Sequence, residues 1–155
     1  MGVRDRIIAI ANQELGTGDN RDTSDIHELD KYFIDTGKSI AGADTTTSWC
    51  GIFACWVLLK SGLYVSWTQK IFDPAKTQVE LIQAEGGDKG KGIRPGDVGV
   101  IHHRIHHFVV VQAYTGSDSL ITIEGNYLGR KHDCIRRSYE RTRGGLWYYY
   151  RVLPN

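Results

Sequence analysis

The segment from Trp49 to Lys60 constrains the fold more than any other part of this chain. It reads Trp-Cys-Gly-Ile-Phe-Ala-Cys-Trp-Val-Leu-Leu-Lys, and Ser61-Gly62 follows it as a helix stop. If this segment is helical, apolar side chains cover it on nearly every side. A helix without a polar face is surrounded by protein, so we expect the rest of the chain to be built around it.

The two halves of the chain differ in periodicity. On the N-terminal side, apolar residues recur at helical spacing in 3–15 and 25–36, and a short helix is predicted for 78–84. After the turn signal Arg-Pro-Gly-Asp at 94–97, strands with short polar gaps are predicted at 98–101, 108–114, 120–124, 134–139 and 146–152. This order predicts one α+β domain over 1–155, with N-terminal helices and the buried helix packed on a curled antiparallel β-sheet of about five strands.

Composition and charge argue against several classes of function. The chain has 19 Lys and Arg against 18 Asp and Glu, a net charge of +1. The segment 128–143 is locally basic, but no nucleic-acid-binding motif accompanies it, so we predict no nucleic-acid partner. We interpret 128–143 as a solvated face, with attraction to an anionic polymer or cell wall as the alternative. No apolar stretch is long enough to span a membrane.

The cysteine and histidine spacings predict neither a disulfide framework nor a metal site. Three cysteines are an odd number, which favours thiols over a framework of bridges, and no C-x-x-C pair suggests zinc. The doublets His102-His103 and His106-His107 suggest metal ligands. However, adjacent side chains on a strand point to opposite faces, so each doublet can give one ligand to a given site. We therefore predict no metal and no other cofactor.

Three side chains at the ends of predicted elements form a candidate catalytic site. Cys50 opens the apolar helix, where the helix dipole and backbone N–H groups without partners stabilise a thiolate. His107 and Glu124 lie on two strands joined by the hairpin connection 115–118. A two-residue loop pairs His107 with Glu124, and a four-residue loop pairs it with Asn126. Either register brings an acid or an amide to the imidazole.

The neighbours of these residues suggest further roles. Gly51 would let a substrate backbone approach Cys50, and N–H groups of the same turn could receive the oxyanion of a tetrahedral intermediate. His106 directly precedes His107, so its ring is expected to point to the opposite face of the strand. A cysteine, an imidazole and a carboxylate together are typical of thiol hydrolases.

Four blocks of this sequence resemble the CHAP family, the cysteine, histidine-dependent amidohydrolases/peptidases. The blocks are 48–57, 94–98, 107–111 and 123–126, and the likeness runs from about residue 3 to residue 153. The resemblance implies a papain-like fold with Cys50 as nucleophile, His107 as general base and Glu124 orienting the ring. It also implies that Asn126 assists and that Trp49 walls the cleft. It leaves open whether Glu124 or Asn126 is the third catalytic member.

The same resemblance implies a substrate. Families of this type cleave amide bonds of bacterial peptidoglycan peptides, as N-acetylmuramoyl-L-alanine amidases or endopeptidases, and occur in lysins and interbacterial effectors. An immunity protein would be a partner if the chain is a toxin. Some relatives bind calcium through an aspartate-rich loop, but Asp19, Asp22 and Asp25 lack the usual alternation. The N-terminus has no signal-peptide pattern, so we expect delivery to the periplasm or cell wall without a cleavable leader, or within a longer polypeptide.

Two other functions fit the same residues. A toxin with this cysteine–histidine core could act on host proteins as a deamidase or protease, because the nucleophile does not reveal the acyl donor. Alternatively, the chain is a binding module in which Cys50 only packs. The reactivity of Cys50 towards iodoacetamide near neutral pH distinguishes a catalytic thiolate from a packed thiol.

Overall fold

Three helices precede the main sheet in the computed structural model of this chain. It describes residues 2–18, 25–37, 49–68, 71–72, 76–102, 105–125 and 134–153, with the backbone alone at 25–28, 67–68 and 71–72. The helices are α1 (Val3–Gln13), α2 (Asp25–Asp35) and α3 (Cys50–Lys60), close to the predicted bounds. Within the described ranges, no helix combines the length and the apolar composition that a bilayer span requires.

Eight strands follow in the described ranges. The first two, β1 (Trp67–Thr68) and β2 (Ile71–Phe72), pair with each other. The others are β3 (Val79–Gln83), β4 (Val98–Ile101), β5 (His106–Ala113), β6 (Leu120–Glu124), β7 (Arg136–Ser138) and β8 (Tyr148–Val152). These six form one curled, open antiparallel sheet in the order β3-β8-β4-β5-β6-β7. The predicted α+β fold is confirmed, with six strands where about five were expected.

The additional strand is β3, and it corrects the prediction of a short helix at 78–84. It pairs with β8 along its whole length, from Val79 opposite Val152 to Gln83 opposite Tyr148. Val79 is buried, Ile82 is half-buried and the other three residues are exposed, as expected for a strand at the edge of the sheet. So short an apolar run cannot be assigned from periodicity alone, and pairing with β8 decides its conformation.

The helix α3 lies at the centre of the structure, as its composition predicted. Eight of its eleven residues are buried, and it packs on β5 and β6 of the sheet and also on α1 and α2. The core on this face joins Phe53 of α3 to Val109 and Ile123 of the sheet. A second apolar cluster, which includes Phe108 and Tyr149, covers the opposite face. Both faces of the central strands are therefore buried.

The turn at 94–97 fastens α1 to the sheet through Asp97, which is fully buried. Its Oδ1 accepts hydrogen bonds from Nη1 of Arg4 at 2.8 Å and from the backbone N–H of Val152 at 2.9 Å. Its Oδ2 accepts from the N–H of Arg94 at 2.9 Å. Burial raises the pKa of Asp97 above its usual value, against the opposing effect of these hydrogen bonds and of the Arg4 charge. The motif thus ties the first helix to the last strand.

A β-bulge changes the register of the β5–β6 hairpin just before the candidate site. The pairs are Ala113 with Leu120 and Gln112 with Ile121 near the turn, then Val110 with Thr122 and Val109 with Ile123 beyond it. The pairs near the turn have the register that a four-residue loop predicts. The extra residue, Val111, then shifts every later pair by one position. Continued towards the site, the shifted register puts Phe108 opposite Glu124 and His107 opposite Gly125, so neither predicted register holds there.

Candidate active site

Cys50 is the first residue of α3, and its sulfur meets the start of β5. Cys50 is 3% exposed. Its Sγ accepts a hydrogen bond from the backbone N–H of His107 at 3.4 Å and lies 3.9 Å from Nδ1 of the same residue. The structure therefore brings together the two residues that the sequence proposed as nucleophile and base.

The backbone of Ile105 bends the chain immediately before β5. Its φ is 49°, in the left-handed region that a β-branched residue rarely adopts. Such a conformation costs about 1–3 kcal/mol and persists where its surroundings enforce it. The carbonyl oxygen of Ile105 lies 3.9 Å from Sγ of Cys50, next to the N–H of His107. The bend thus places the carbonyl oxygen of Ile105 and the backbone N–H of His107 next to the sulfur of Cys50.

The carboxylate of Glu124 contacts the ring of His106. Oε1 of Glu124 lies 2.7 Å from Nε2 of His106. With Phe108 opposite Glu124, the diagonal neighbour on the same face of β5 is His106. The expectation that Glu124 orients the ring of His107 is therefore wrong. His106 shares with Phe108 the face of β5 opposite to that of His107, as predicted, and Glu124 lies on that face.

Glu124 is fully buried, and each of its two carboxylate oxygens has two polar contacts. Besides the contact with His106, Oε1 accepts from Nη2 of Arg141 at 2.8 Å. Oε2 accepts from Nε of Arg141 at 2.8 Å and from Oγ1 of Thr122 at 2.6 Å. Burial alone would raise the pKa of Glu124, but the hydrogen bonds and charges of Arg141 and His106 lower it to about 2. This buried carboxylate is therefore ionised at neutral pH.

The thiol and the two imidazoles are electrostatically coupled. Burial raises the pKa of Cys50, but hydrogen bonds and charges from His106 and His107 overcome this effect and hold it well below its usual value. Burial lowers the pKa of His106, whereas its interactions with Cys50 and Glu124 raise it to about 9. The directions of these pKa shifts therefore favour alternating charges, with a thiolate at Cys50, an imidazolium at His106, a carboxylate at Glu124 and the guanidinium of Arg141.

Trp49 and Gly51, predicted to contact substrate, are both buried. Trp49 is 1% exposed and stacks on Tyr32, with ring centroids 6.0 Å apart and planes inclined by 8°. Gly125 lies so close that a Cβ atom there would be 2.4 Å from Cζ3 of Trp49. Trp49 therefore packs between the end of β6 and the start of α3, and its role in walling the cleft stays a prediction.

Several predictions fall outside the part of the chain that the structure describes. They concern Asn126 and the aspartates considered for calcium: Asp19 and Asp22 are not described, and Asp25 is described by its backbone alone. Among the described residues, no group of three or more His, Cys, Asp or Glu side chains could hold a metal ion. The three cysteines are buried and form no disulfide.

Sequence reasoning missed two members of this cluster, His106 and Arg141. Arg141 was grouped with the basic segment 128–143 and interpreted as part of a solvated face, yet its side chain is 21% exposed and clamps a buried carboxylate. The available signal was Glu124 itself, because a buried carboxylate needs a cationic partner. Nothing in the spacing indicates which arginine that partner is.

Comparisons with known proteins show a likeness of fold. The chain matches no protein-family model and no curated protein. A solved structure described as "The crystal structure of Ly7917" matches with a TM-score of 0.50 at 13% identity, over 98% of this chain and 63% of that chain. Another, "The crystal structure of Ly7917 with the hydrolyzing product of MDP", has a TM-score of 0.48 at 13% identity, over 96% and 62%. This chain thus spans less than two thirds of the chains it matches, and the first likeness supports the fold alone.

Proposed function

We propose that this chain is a cysteine-dependent amidohydrolase/peptidase that cleaves amide bonds in the peptides of bacterial peptidoglycan. One observation carries the chemistry: the Cys50 sulfur lies at the start of a buried helix beside two imidazoles, one of which contacts a buried carboxylate. A thiolate with imidazole partners is an activated nucleophile for acyl transfer. The substrate class rests on the resemblance of the sequence blocks to the CHAP family.

In the proposed reaction, the Cys50 thiolate attacks the carbonyl carbon of the scissile amide. The developing oxyanion is received by backbone N–H groups in the first turn of α3, where helical N–H groups have no intrahelical acceptors. His107 takes the thiol proton and delivers it to the leaving amine, because its Nδ1 faces the sulfur at 3.9 Å. A water molecule, deprotonated by the same imidazole, then hydrolyses the thioester and restores the thiol.

Release of soluble fragments from purified peptidoglycan tests this proposal. The native chain should release peptides or muropeptides that mass spectrometry identifies by their new termini, and Cys50→Ala should release none. Cys55→Ala is the matched control, because Cys55 is a buried thiol of the same helix without a predicted role in the chemistry. Equal release by Cys50→Ala and the native chain would disprove the proposal.

The remaining alternatives give different results in the same assay. A rapidly alkylated Cys50 without any release from peptidoglycan would favour the deamidase or protease acting on proteins. A Cys50 that alkylates as slowly as an ordinary buried thiol would favour the binding module. The lysin or effector setting, delivery to the cell wall and an immunity partner remain predictions of the resemblance.

A further inference from the structure

We propose that Arg141 is a positioning residue: acting through Glu124 and His106, it stabilises the Cys50 thiolate that forms when His107 takes the thiol proton. The two adjacent histidines then have separate tasks: His106 is a fixed cation, and His107 is the general base. This inference rests on the proposed thiol chemistry and assigns a task to each ionised group of the cluster.

Arg141 holds the carboxylate of Glu124 in a fixed geometry. Nε and Nη2 of its guanidinium bind the two different oxygens of Glu124, each at 2.8 Å, which is the planar two-point fork characteristic of strong arginine–carboxylate pairs. The guanidinium carbon also lies 5.5 Å from the ring centroid of Phe108, the residue opposite Glu124. Because two bonds and a ring fix the guanidinium, it fixes the plane of the carboxylate.

The ionised state of Glu124 depends on the charged groups around it. The charged or titratable neighbours are His106 from β5, Arg141 from the segment after β7, and Arg136, which pairs with Glu124 across β6 and β7. The neighbour from its own strand is the neutral hydroxyl of Thr122. A fully buried carboxylate that loses its two-point cation favours the protonated form. A neutral Glu124 would no longer stabilise an imidazolium at His106, and the cation beside Cys50 would be lost.

The contacts of the two histidines assign them different roles. A general base works best when its pKa lies near the working pH, because it must both accept and release the proton. His106 is bound through Nε2 to the buried carboxylate of Glu124 at 2.7 Å, and its interactions with Cys50 and Glu124 raise its pKa to about 9, so it supplies a positive charge beside the thiolate that His107 generates. His107 presents Nδ1 to the sulfur at 3.9 Å and also donates its backbone N–H to that atom. It is therefore the imidazole that is positioned to exchange a proton with the sulfur during the reaction.

The rate of Cys50 alkylation by iodoacetamide as a function of pH tests the role of Arg141 without any substrate. Mass spectrometry of the Cys50 peptide makes the measurement specific to this thiol. In Arg141→Met the pH midpoint should rise by about 1–2 units, which lowers the rate by about 10- to 100-fold at pH values below the native midpoint. Arg141→Lys keeps the charge without the fork and should give a smaller rise.

Two further variants complete this experiment. Glu124→Gln should raise the midpoint as Arg141→Met does, and it keeps the claim testable if the methionine variant does not fold. Arg143→Met is the matched control, because Arg143 binds the carbonyl oxygens of Tyr114 and Ser117 and has no hydrogen bond to Glu124. Unchanged midpoints in folded Arg141→Met and Glu124→Gln would disprove the role of Arg141. An ordinary midpoint of about 8.5 in the native chain would instead disprove the proposed function.

The division between the histidines is tested by turnover of peptidoglycan across the alkaline range. His106→Gln should lose turnover near neutral pH and recover it as the pH rises past the raised pKa of Cys50, since the thiol then ionises unaided. His107→Gln should remain inactive at every pH, because no base replaces its imidazole. The opposite pattern, with His107→Gln active and His106→Gln inactive throughout, would reverse the assignment.

Discussion

Glu124 contacts His106 diagonally across the β5–β6 pair because a single bulged residue, Val111, shifts the register before the strands reach the site. Side chains alternate between the faces of a strand, so a shift of one residue exchanges the neighbours of every side chain beyond it. Without the bulge, the pairing near the turn would continue and Glu124 would lie opposite Val109. The contact that holds the buried carboxylate beside an imidazole thus depends on one inserted position.

Removal of the nucleophile or the base should abolish turnover without loss of the fold. We expect Cys50→Ala and His107→Ala to reduce the rate by about 1000-fold or more. Glu124→Gln, which keeps the shape of the side chain but loses its charge, should reduce the rate by less than either. Initial rates of peptidoglycan cleavage give the ranking, with circular dichroism as the control for folding. Native-like rates in either alanine variant would contradict the assigned roles.

Gly125→Ala should disturb the site through packing alone. The added Cβ would lie 2.4 Å from Cζ3 of Trp49, the residue before Cys50, so the ring or the end of β6 must move. We expect a loss of about 1–3 kcal/mol in the free energy of unfolding and a lower turnover rate. Gly144→Ala, whose Cβ would have an ordinary contact of 3.5 Å with Asp118, is the control. Trp49→Phe should partly restore the stability of Gly125→Ala, since the smaller ring leaves room for the methyl group.

Acid should destabilise the fold through Glu124. Its folded pKa of about 2 lies below the ordinary value of 4.5, so its contribution is complete above about pH 4.5 and is lost as the pH falls through 2. The shift corresponds to about 3 kcal/mol as an upper value, because His106 shares the interaction. Urea unfolding at a series of pH values should show this decline. A Glu124→Gln variant with an equally steep decline would refute the assignment.

Above neutral pH, the contributions of Cys50 and His106 to the free energy of unfolding should change in opposite directions. The raised pKa of His106 gives stability that is complete below about pH 6.5 and is lost as the pH rises through 9. The lowered pKa of Cys50 gives stability that grows as the pH rises towards the ordinary value of 9.0, because the folded chain releases the thiol proton at lower pH than the unfolded chain does. The native stability should therefore decline less steeply than that of Cys50→Ala as the pH rises towards 9. Parallel curves for the two proteins would show that the groups are not coupled.

The Asp97 anchor should matter for stability and not for chemistry. Arg4→Met leaves a fully buried carboxylate without its cation, and loss of one partner of a buried ion pair costs about 3–5 kcal/mol. Chemical denaturation should show this loss, while the rate of Cys50 alkylation per folded molecule should remain native. An altered alkylation rate in the folded variant would mean that α1 also positions the nucleophile.

The sequence predicted those features that depend on local pattern. The burial of α3 followed from its apolar circumference, and the strand 120–124 from its composition and flanking turns. The strand β3 was mistaken for a helix because its pairing partner, β8, lies far along the chain. No glycine or proline in the neighbouring sequence indicates the bulge at Val111. The two bonds from Arg141 to Glu124 depend on how the segment after β7 packs against β6, which neither periodicity nor residue spacing encodes.

The place of β8 in the sheet has a consequence for biosynthesis. This strand is made after every other one, yet it pairs on one side with β3 and on the other with β4. While the ribosome is still translating residues 148–152, β3 has no partner and the edge of β4 is open to pairing with another chain. The nascent polypeptide therefore cannot complete its sheet until that segment has left the exit tunnel, and a stalled chain would be prone to aggregate at this edge.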